Sequence, residues 1–198
     1  MKASTRTTLI VIDMQKGFDD PSWGPTTNRE GCQRNVTRLI GAWTERSLPI
    51  VVVRHASVKV DSSLHRSHPG NALIDPVAAA PAALFVTKTV NSAFHGTPDL
   101  ERWLRAEGAE QLVMCGIQTN MCVETTARIG GNLGFDVIVP LDATRTFDLA
   151  GPDRSVTSAT TLMQTTATNL HGGKFARVTT TDIVINELEP PPVDVSSS

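Results

Sequence analysis

Tyrosine is absent from the 198 residues, aromatics make up only 5%, and cysteine occurs three times. An odd, irregularly spaced set of thiols excludes a disulfide framework and the small secreted scaffolds that depend on one. Long hydrophobic runs are missing too. The first apolar run, "LIVI" at 9–12, is far shorter than a signal-peptide core or the ~20 residues of a membrane span. Basic residues do not cluster, and 18 Lys and Arg against 20 Asp and Glu give a net charge of −2. Neither nucleic acid nor an anionic membrane surface is therefore an expected partner. What these absences leave is a globular protein of a reducing compartment, expected in the cytoplasm and long enough to bury a core unaided.

What the chain does have is a recurrence of short, β-rich apolar runs. "LIVID" (9–13), "IVVVR" (50–54), "LFVTK" (84–88), "QLVMCG" (111–116) and "DVIVPLD" (136–142) read as strands, with "FARVTTT" (175–181) as a sixth. They are near-continuous rather than alternating, as expected of parallel strands covered on both faces. Helical spacing separates them at 32–47, 99–109, 121–134 and 153–172, the last rich in Thr. This alternation predicts an α/β, Rossmann-like, doubly wound domain: a mainly parallel six-stranded sheet with helices on both faces. Its expected extent is 1–186, with "ELEPPPVDVSSS" (187–198) as a loosely ordered tail. Segments 19–31 and 55–83 follow strand ends, where open α/β sheets carry their ligand loops.

Three reactive residues fall at or just past strand C-terminal ends: Asp13, Lys88 and Cys122. In a parallel sheet those ends share one edge, so residues distant in sequence can converge there. Each also has a plain structural reading, as a turn cap, a solvated strand end and a packed helix residue. Together they form an acyl-transfer set. Cys122 is predicted in the first turn of its helix, capped by Thr119 or Asn120, where the helix N-terminus and a nearby Lys88 ammonium would lower its pKa. Asp13 would accept the thiol proton and return it to a leaving amine. Cys115 reads as an inert thiol inside a strand and Cys32 as incidental.

The segments "DMQKGF" (13–18), "KTVNSAF" (88–94), "GIQTNMCV" (116–123) and "GFDVIVPLDAT" (134–144) resemble, in this order, the signatures of the isochorismatase-like cysteine hydrolases. Nicotinamidases and N-carbamoylsarcosine amidase belong to that family. The resemblance spans roughly residues 7–182. It implies an Asp–Lys–Cys triad on Asp13, Lys88 and Cys122, and a cis peptide at Ile117–Gln118. It also implies that the Gln118 and Cys122 N–H groups serve as the oxyanion hole. The implied activity is hydrolysis of a carbonyl–nitrogen bond in a small amide, carbamoyl or lactam-like substrate, through a thioester on Cys122. No cofactor is implied, and relatives are often dimers or tetramers, so a homo-oligomer is expected.

Two further observations bear on the substrate. True isochorismatases cleave a vinyl ether without the thiol, so Cys122 favours C–N hydrolysis while vinyl-ether cleavage stands as the alternative. Nicotinamidases carry a metal-binding Asp-x-His after the second strand. Here "VRHASVKVDSSLHRSH" holds His55, Asp61, His65 and His68 at other spacings, and no metal is expected, although loop histidines could still converge on one. Phe18, Trp23, Phe94 and Gln118 are the expected pocket walls, with Trp23 equally able to pin its own loop. A doubly wound binding module for a nucleotide or flavin lacks its usual G-x-G-x-x-G or Walker loop after the first strand. A catalytically dead interaction protein fits poorly with an intact Asp–Lys–Cys set.

Overall fold

The computed structural model describes residues 7–188. Ten strands and six α-helices run in the order β1 (Thr7–Ile12), β2 (Thr26–Thr27), α1 (Arg29–Glu45), β3 (Ile50–His55), α2 (Asp75–Ala78), β4 (Leu84–Lys88), α3 (Leu100–Ala106), β5 (Gln111–Ile117), α4 (Glu124–Asn132), β6 (Asp136–Pro140), β7 (Thr144–Phe147), β8 (Leu149–Ala150), β9 (Val156–Thr157), α5 (Ala159–Gly172), β10 (Arg177–Thr179) and α6 (Thr181–Glu187). The six main strands lie in the order β10-β6-β5-β1-β3-β4 and pair in parallel. The expected fold class is therefore the observed one.

Alternation sorts each continuous apolar strand between two cores. Leu9, Val11, Ile50, Val52, Val113 and Cys115 face α1 and α6, where Val36, Leu39, Trp43 and Val184 meet them. Ile10, Ile12, Val51, Val53, Leu112 and Met114 face the other side, against Leu100, Leu104, Ala127 and Leu170 of α3, α4 and α5. Each fully buried Leu or Ile contributes about 1.5–3 kcal/mol relative to exposure, so both layers anchor the strand ends that carry the site. Among the described residues no helix is long and apolar enough to cross a membrane.

Several expected boundaries move, each for a local reason. The strand predicted over 136–142 stops at Pro140, which has no N–H for a ladder, and a 3-10 turn at Leu141–Ala143 displaces the chain. It resumes as β7, parallel to the top of β5 through Gly116↔Thr144 and Ile117↔Arg145, while β2 pairs antiparallel with β7. The sheet thus gains two short strands beyond the expected six. The helix predicted from 153 begins at Ala159, because the hairpin β8–β9 precedes it and Ser158 caps it by accepting from Thr161 N. The last predicted strand shrinks to β10, since Thr180 caps a helix that periodicity missed. That helix, α6, includes Glu187, whose carboxylate pairs with Arg177, so the tail boundary drawn after 186 falls inside it. Residues 189–198 lie outside the described residues.

Candidate active site

The C-terminal ends of β1, β4 and β5 meet at one edge of the sheet. Asp13 follows β1 with φ 52° and is fully buried. Its N–H closes the β1–β3 ladder on Val53 O at 3.0 Å, after which the chain turns away. Lys88 is the last residue of β4, its side chain 0% exposed. Cys122 lies in a π-helical turn, Thr119–Val123, between β5 and α4, and is 7% exposed.

Gly116 lets β5 reach this edge. It has φ 121°, and a Cβ there would come within 2.0 Å of Ile12 O, so only glycine allows β5 to pass the base of Asp13. The Ile117–Gln118 peptide is cis. Thr119 and Asn120 do not cap the helix as expected. Thr119 donates to Thr144 Oγ1 at 2.9 Å, and Asn120 Oδ1 accepts from Thr146. Both side chains tie the nucleophile turn sideways to β7, so the turn winds as π rather than opening a capped α-helix.

The three reactive groups meet around one ammonium. Lys88 Nζ donates to Asp13 Oδ2 at 2.5 Å and lies 3.3 Å from Cys122 Sγ and 3.3 Å from His55 Nδ1. Asp13 Oδ1 is buried with no hydrogen-bond partner. A carboxylate oxygen of Asp13, a ring nitrogen of His55 and Cys122 Sγ lie within 4.8 Å of one another. Among the described residues these are the three side chains able to converge on a cation, and the Lys88 ammonium already stands among them, where its charge repels one. Of the other histidine-loop candidates, His65 Nδ1 bonds Ser67 Oγ at 2.8 Å and His68 Nδ1 accepts from Gly70 N at 3.0 Å, while Asp61 joins no such group.

Burial dominates the acid–base state. It pushes the Cys122 thiol up to about 12, with the Asp13 charge adding to the rise and Lys88 only partly opposing it. This reverses the expected low thiol pKa: Cys122 rests as a protonated thiol, because desolvation outweighs the Lys88 charge. Asp13 is also raised by burial, against the pull of Lys88, which makes it a better proton acceptor. His55 is held below the usual imidazole range, first by burial and then by the Lys88 charge. Burial likewise pushes Cys32 up to about 12 and Cys115 well above the usual thiol range, so neither is a reagent.

The expected pocket walls do not form one surface. Phe18 and Trp23 pack with Phe147 at centroid distances of 4.9, 6.0 and 5.4 Å on the α1 side. Trp23 Nε1 donates to Gly17 O and Ser63 Oγ, which makes it the loop pin. Phe94 stacks on Phe135 on the opposite face. Gln118, at the start of the nucleophile turn, is the member nearest the chemistry in sequence and 8% exposed. A groove of about 540 Å³ instead runs along Val90, Asn91, Ser92, His95, Thr125 and Ile129. Asn91 links it to Cys122, its Oδ1 3.9 Å from Cys122 Sγ.

Other members were less legible. Thr126 accepts from Ala93 N at 3.1 Å and donates to Cys122 O at 2.6 Å, joining the lysine loop to the nucleophile turn. His55 belongs to β3 rather than to the loop and stands opposite Lys88 in register. Extending the predicted strand by one residue would have placed it at the same edge as Asp13 and Lys88.

Residues 7–182 match the isochorismatase domain profile. The chain is 35% identical to the uncharacterized isochorismatase family protein YrdC of Bacillus subtilis over 179 residues, 90% of this chain and 94% of that one. It is 38% identical to the ureidoacrylate amidohydrolase RutB of Stutzerimonas stutzeri over 187 residues, 77% of this chain and 73% of that one. The crystal structure of a cysteine hydrolase from Pseudomonas syringae pv. phaseolicola superposes with a TM-score of 0.81 at 29% identity, covering 92% of each chain. The sheet order, the site at its C-terminal edge and these matches agree, and the protein belongs to the isochorismatase family of hydrolases.

Proposed function

We propose that this protein is a cysteine amidohydrolase, cleaving the carbonyl–nitrogen bond of a small amide, carbamoyl or lactam-like substrate. The observation that carries the reading is the buried Lys88 ammonium bridging Asp13 at 2.5 Å and Cys122 at 3.3 Å. A base, a cation and a thiol in mutual contact out of water are what proton-coupled thiol attack requires. The likeness to an enzyme named as an amidohydrolase and to one named as a cysteine hydrolase supports the same class.

In this reading the thiol stays protonated until a carbonyl arrives. Asp13 takes the proton as sulfur bonds to the carbonyl carbon, and Lys88 stabilises the thiolate as it forms. The Gln118 and Cys122 N–H groups receive the developing oxyanion. Collapse breaks the C–N bond, and Asp13 returns its proton to the departing nitrogen. Water then attacks the thioester, giving a proton to Asp13. The C–S bond breaks, the acid leaves, and the thiol regains its proton. The substrate approaches along the Val90–Ile129 groove, past Asn91.

A screen for ammonia release from small amides and ureido acids, and for primary-amine formation on ring opening of lactams, tests this, with Cys122→Ala as control. Turnover is expected for at least one class, falling by about a thousandfold or more in the variant. Full activity retained in Cys122→Ala would remove the thioester route.

A further inference from the structure

We propose that His55 is a positioning residue for the Asp13–Lys88–Cys122 site: its Nδ1 accepts the third N–H of the Lys88 ammonium, and the Gln15 side chain holds it in place. This rests on the cysteine-hydrolase reading and adds a member to it. An ammonium has three N–H donors and no acceptor. Two of those on Lys88 face Asp13 Oδ2 and Cys122 Sγ, and His55 Nδ1, 3.3 Å from Nζ, stands where the third can go. At 1% exposure Lys88 has no bulk water to turn to, and a buried donor left without an acceptor is costly. Three acceptors on three sides hold Nζ between base and nucleophile, where two would leave it free to swing.

The histidine ring is set to accept. An ammonium can only donate, so its 3.3 Å contact with Nδ1 requires the lone pair there and places the ring hydrogen on Nε2. The charged and titratable groups facing the ring are Lys88 from β4, Asp13 from the end of β1 and Cys122 from the π turn. Burial and the Lys88 charge both favour neutral imidazole, while Asp13 opposes them less strongly.

Gln15 explains why the ring is there. Asp13 takes the chain off the β1–β3 ladder, and the Gln15 side-chain amide supplies the next pair of bonds. Gln15 Nε2 donates to His55 O and His55 N donates to Gln15 Oε1, both at 2.9 Å. Gln15 is 2% exposed, and its Nε2 also donates to Asn71 O at 3.0 Å. Asn71 Nδ2 in turn donates to His55 O at 2.8 Å and Leu64 O at 2.7 Å. Both main-chain groups of His55 are thus clamped, which fixes the point from which its side chain reaches toward Lys88.

Two measurements on the full chain test this. Imidazole ¹⁵N NMR should show the His55 ring, assigned among the five histidines by its loss in His55→Asn, as the neutral Nε2–H tautomer with a hydrogen-bonded Nδ1. Lys88→Met should move that Nδ1 resonance to the free-imine position. Alkylation of Cys122 by iodoacetamide at fixed pH should slow about tenfold or more in His55→Leu and in Lys88→Met. His55→Asn, whose Oδ1 restores an acceptor, should stay within about threefold of wild type. Wild-type alkylation in His55→Leu with slow alkylation in Lys88→Met would overturn the role of His55 alone. Wild-type alkylation in Lys88→Met would overturn the triad reading beneath it. Equal loss in the Leu and Asn variants, both with native circular dichroism, would reduce His55 to packing. Should His55→Leu fail to fold, an Nδ1 resonance that ignores Lys88→Met overturns the proposal.

Discussion

Cys122 and Cys115 are both buried thiols seven residues apart, and what separates them is their neighbours. Among the described residues Cys115 Sγ has one hydrogen-bond partner, the Ile10 carbonyl at 3.9 Å, and otherwise lies in the apolar core. Cys122 Sγ meets an ammonium at 3.3 Å, with a carboxylate beside it. In the proposed mechanism the thiol rests protonated, so Asp13 has to be ionised before attack. Burial raises Asp13 above its ordinary 3.8, and a base with a raised pKa loses function as pH falls through that raised value. The acid limb of kcat/KM should therefore lie above the ordinary carboxylate range, and a profile measured on the substrate found by the screen checks it. A limb near 3.8 would mean that Asp13 is solvated or uninvolved. The identity of these residues was legible from their place at strand ends. Their protonation was not, because desolvation depends on what covers the site, and no spacing in the sequence reports that.

At the scale of elements, the nucleophile turn is held by side chains that no periodicity marks. Asn120 and Thr119 reach β7, and Thr126 ties the turn to the lysine loop. The main strands and four helices were legible because their apolar runs and helical spacing are strong. The π turn, β7 and α6 were not, since each is set by tertiary hydrogen bonds or a cap in a polar stretch. Gly116 is the sharpest test of the turn. A methyl group there would press on Ile12 O at 2.0 Å in a backbone region closed to alanine. Gly116→Ala should lose about 2 kcal/mol or more by urea denaturation, and activity should fall more than stability, because the displaced strand end carries Asp13. Thr126→Val, similar in shape but unable to bond Ala93 N or Cys122 O, should lower kcat with little change in KM. A rise in KM alone would point to a substrate contact instead.

At the scale of the molecule, the buried Asp13–Lys88 pair is a cost that the fold carries, and one that the proposed chemistry would account for. Two charges taken from water regain their hydration only in part, and replacing both by neutral groups of similar shape is often neutral or stabilising, by about 1–4 kcal/mol. Removing one partner is worse, at about 3–5 kcal/mol, because the other charge stays buried alone. The double variant Asp13→Asn/Lys88→Met should therefore be inactive yet melt at or above the wild-type temperature, while Lys88→Met alone should melt lower. For a domain of this size each kcal/mol corresponds to about 2–4 °C. The pH dependence gives an internal check. Asp13 already has a folded pKa raised above its unfolded value, and Lys88 is the main group lowering it. Loss of Lys88 raises it further. Below the unfolded value both states are protonated and the penalty vanishes. Between the unfolded and the folded value the unfolded state ionises while the buried carboxyl does not, so stability falls as pH rises through that window and levels off above the folded pKa. The melting deficit of Lys88→Met should accordingly widen as pH rises above the folded pKa of wild-type Asp13 and level off above the variant's own higher value, and that of the double variant should stay flat. A deficit independent of pH would mean that Lys88 supports the fold through the packing of its alkyl chain, and that the charge pair lies closer to solvent than its burial implies.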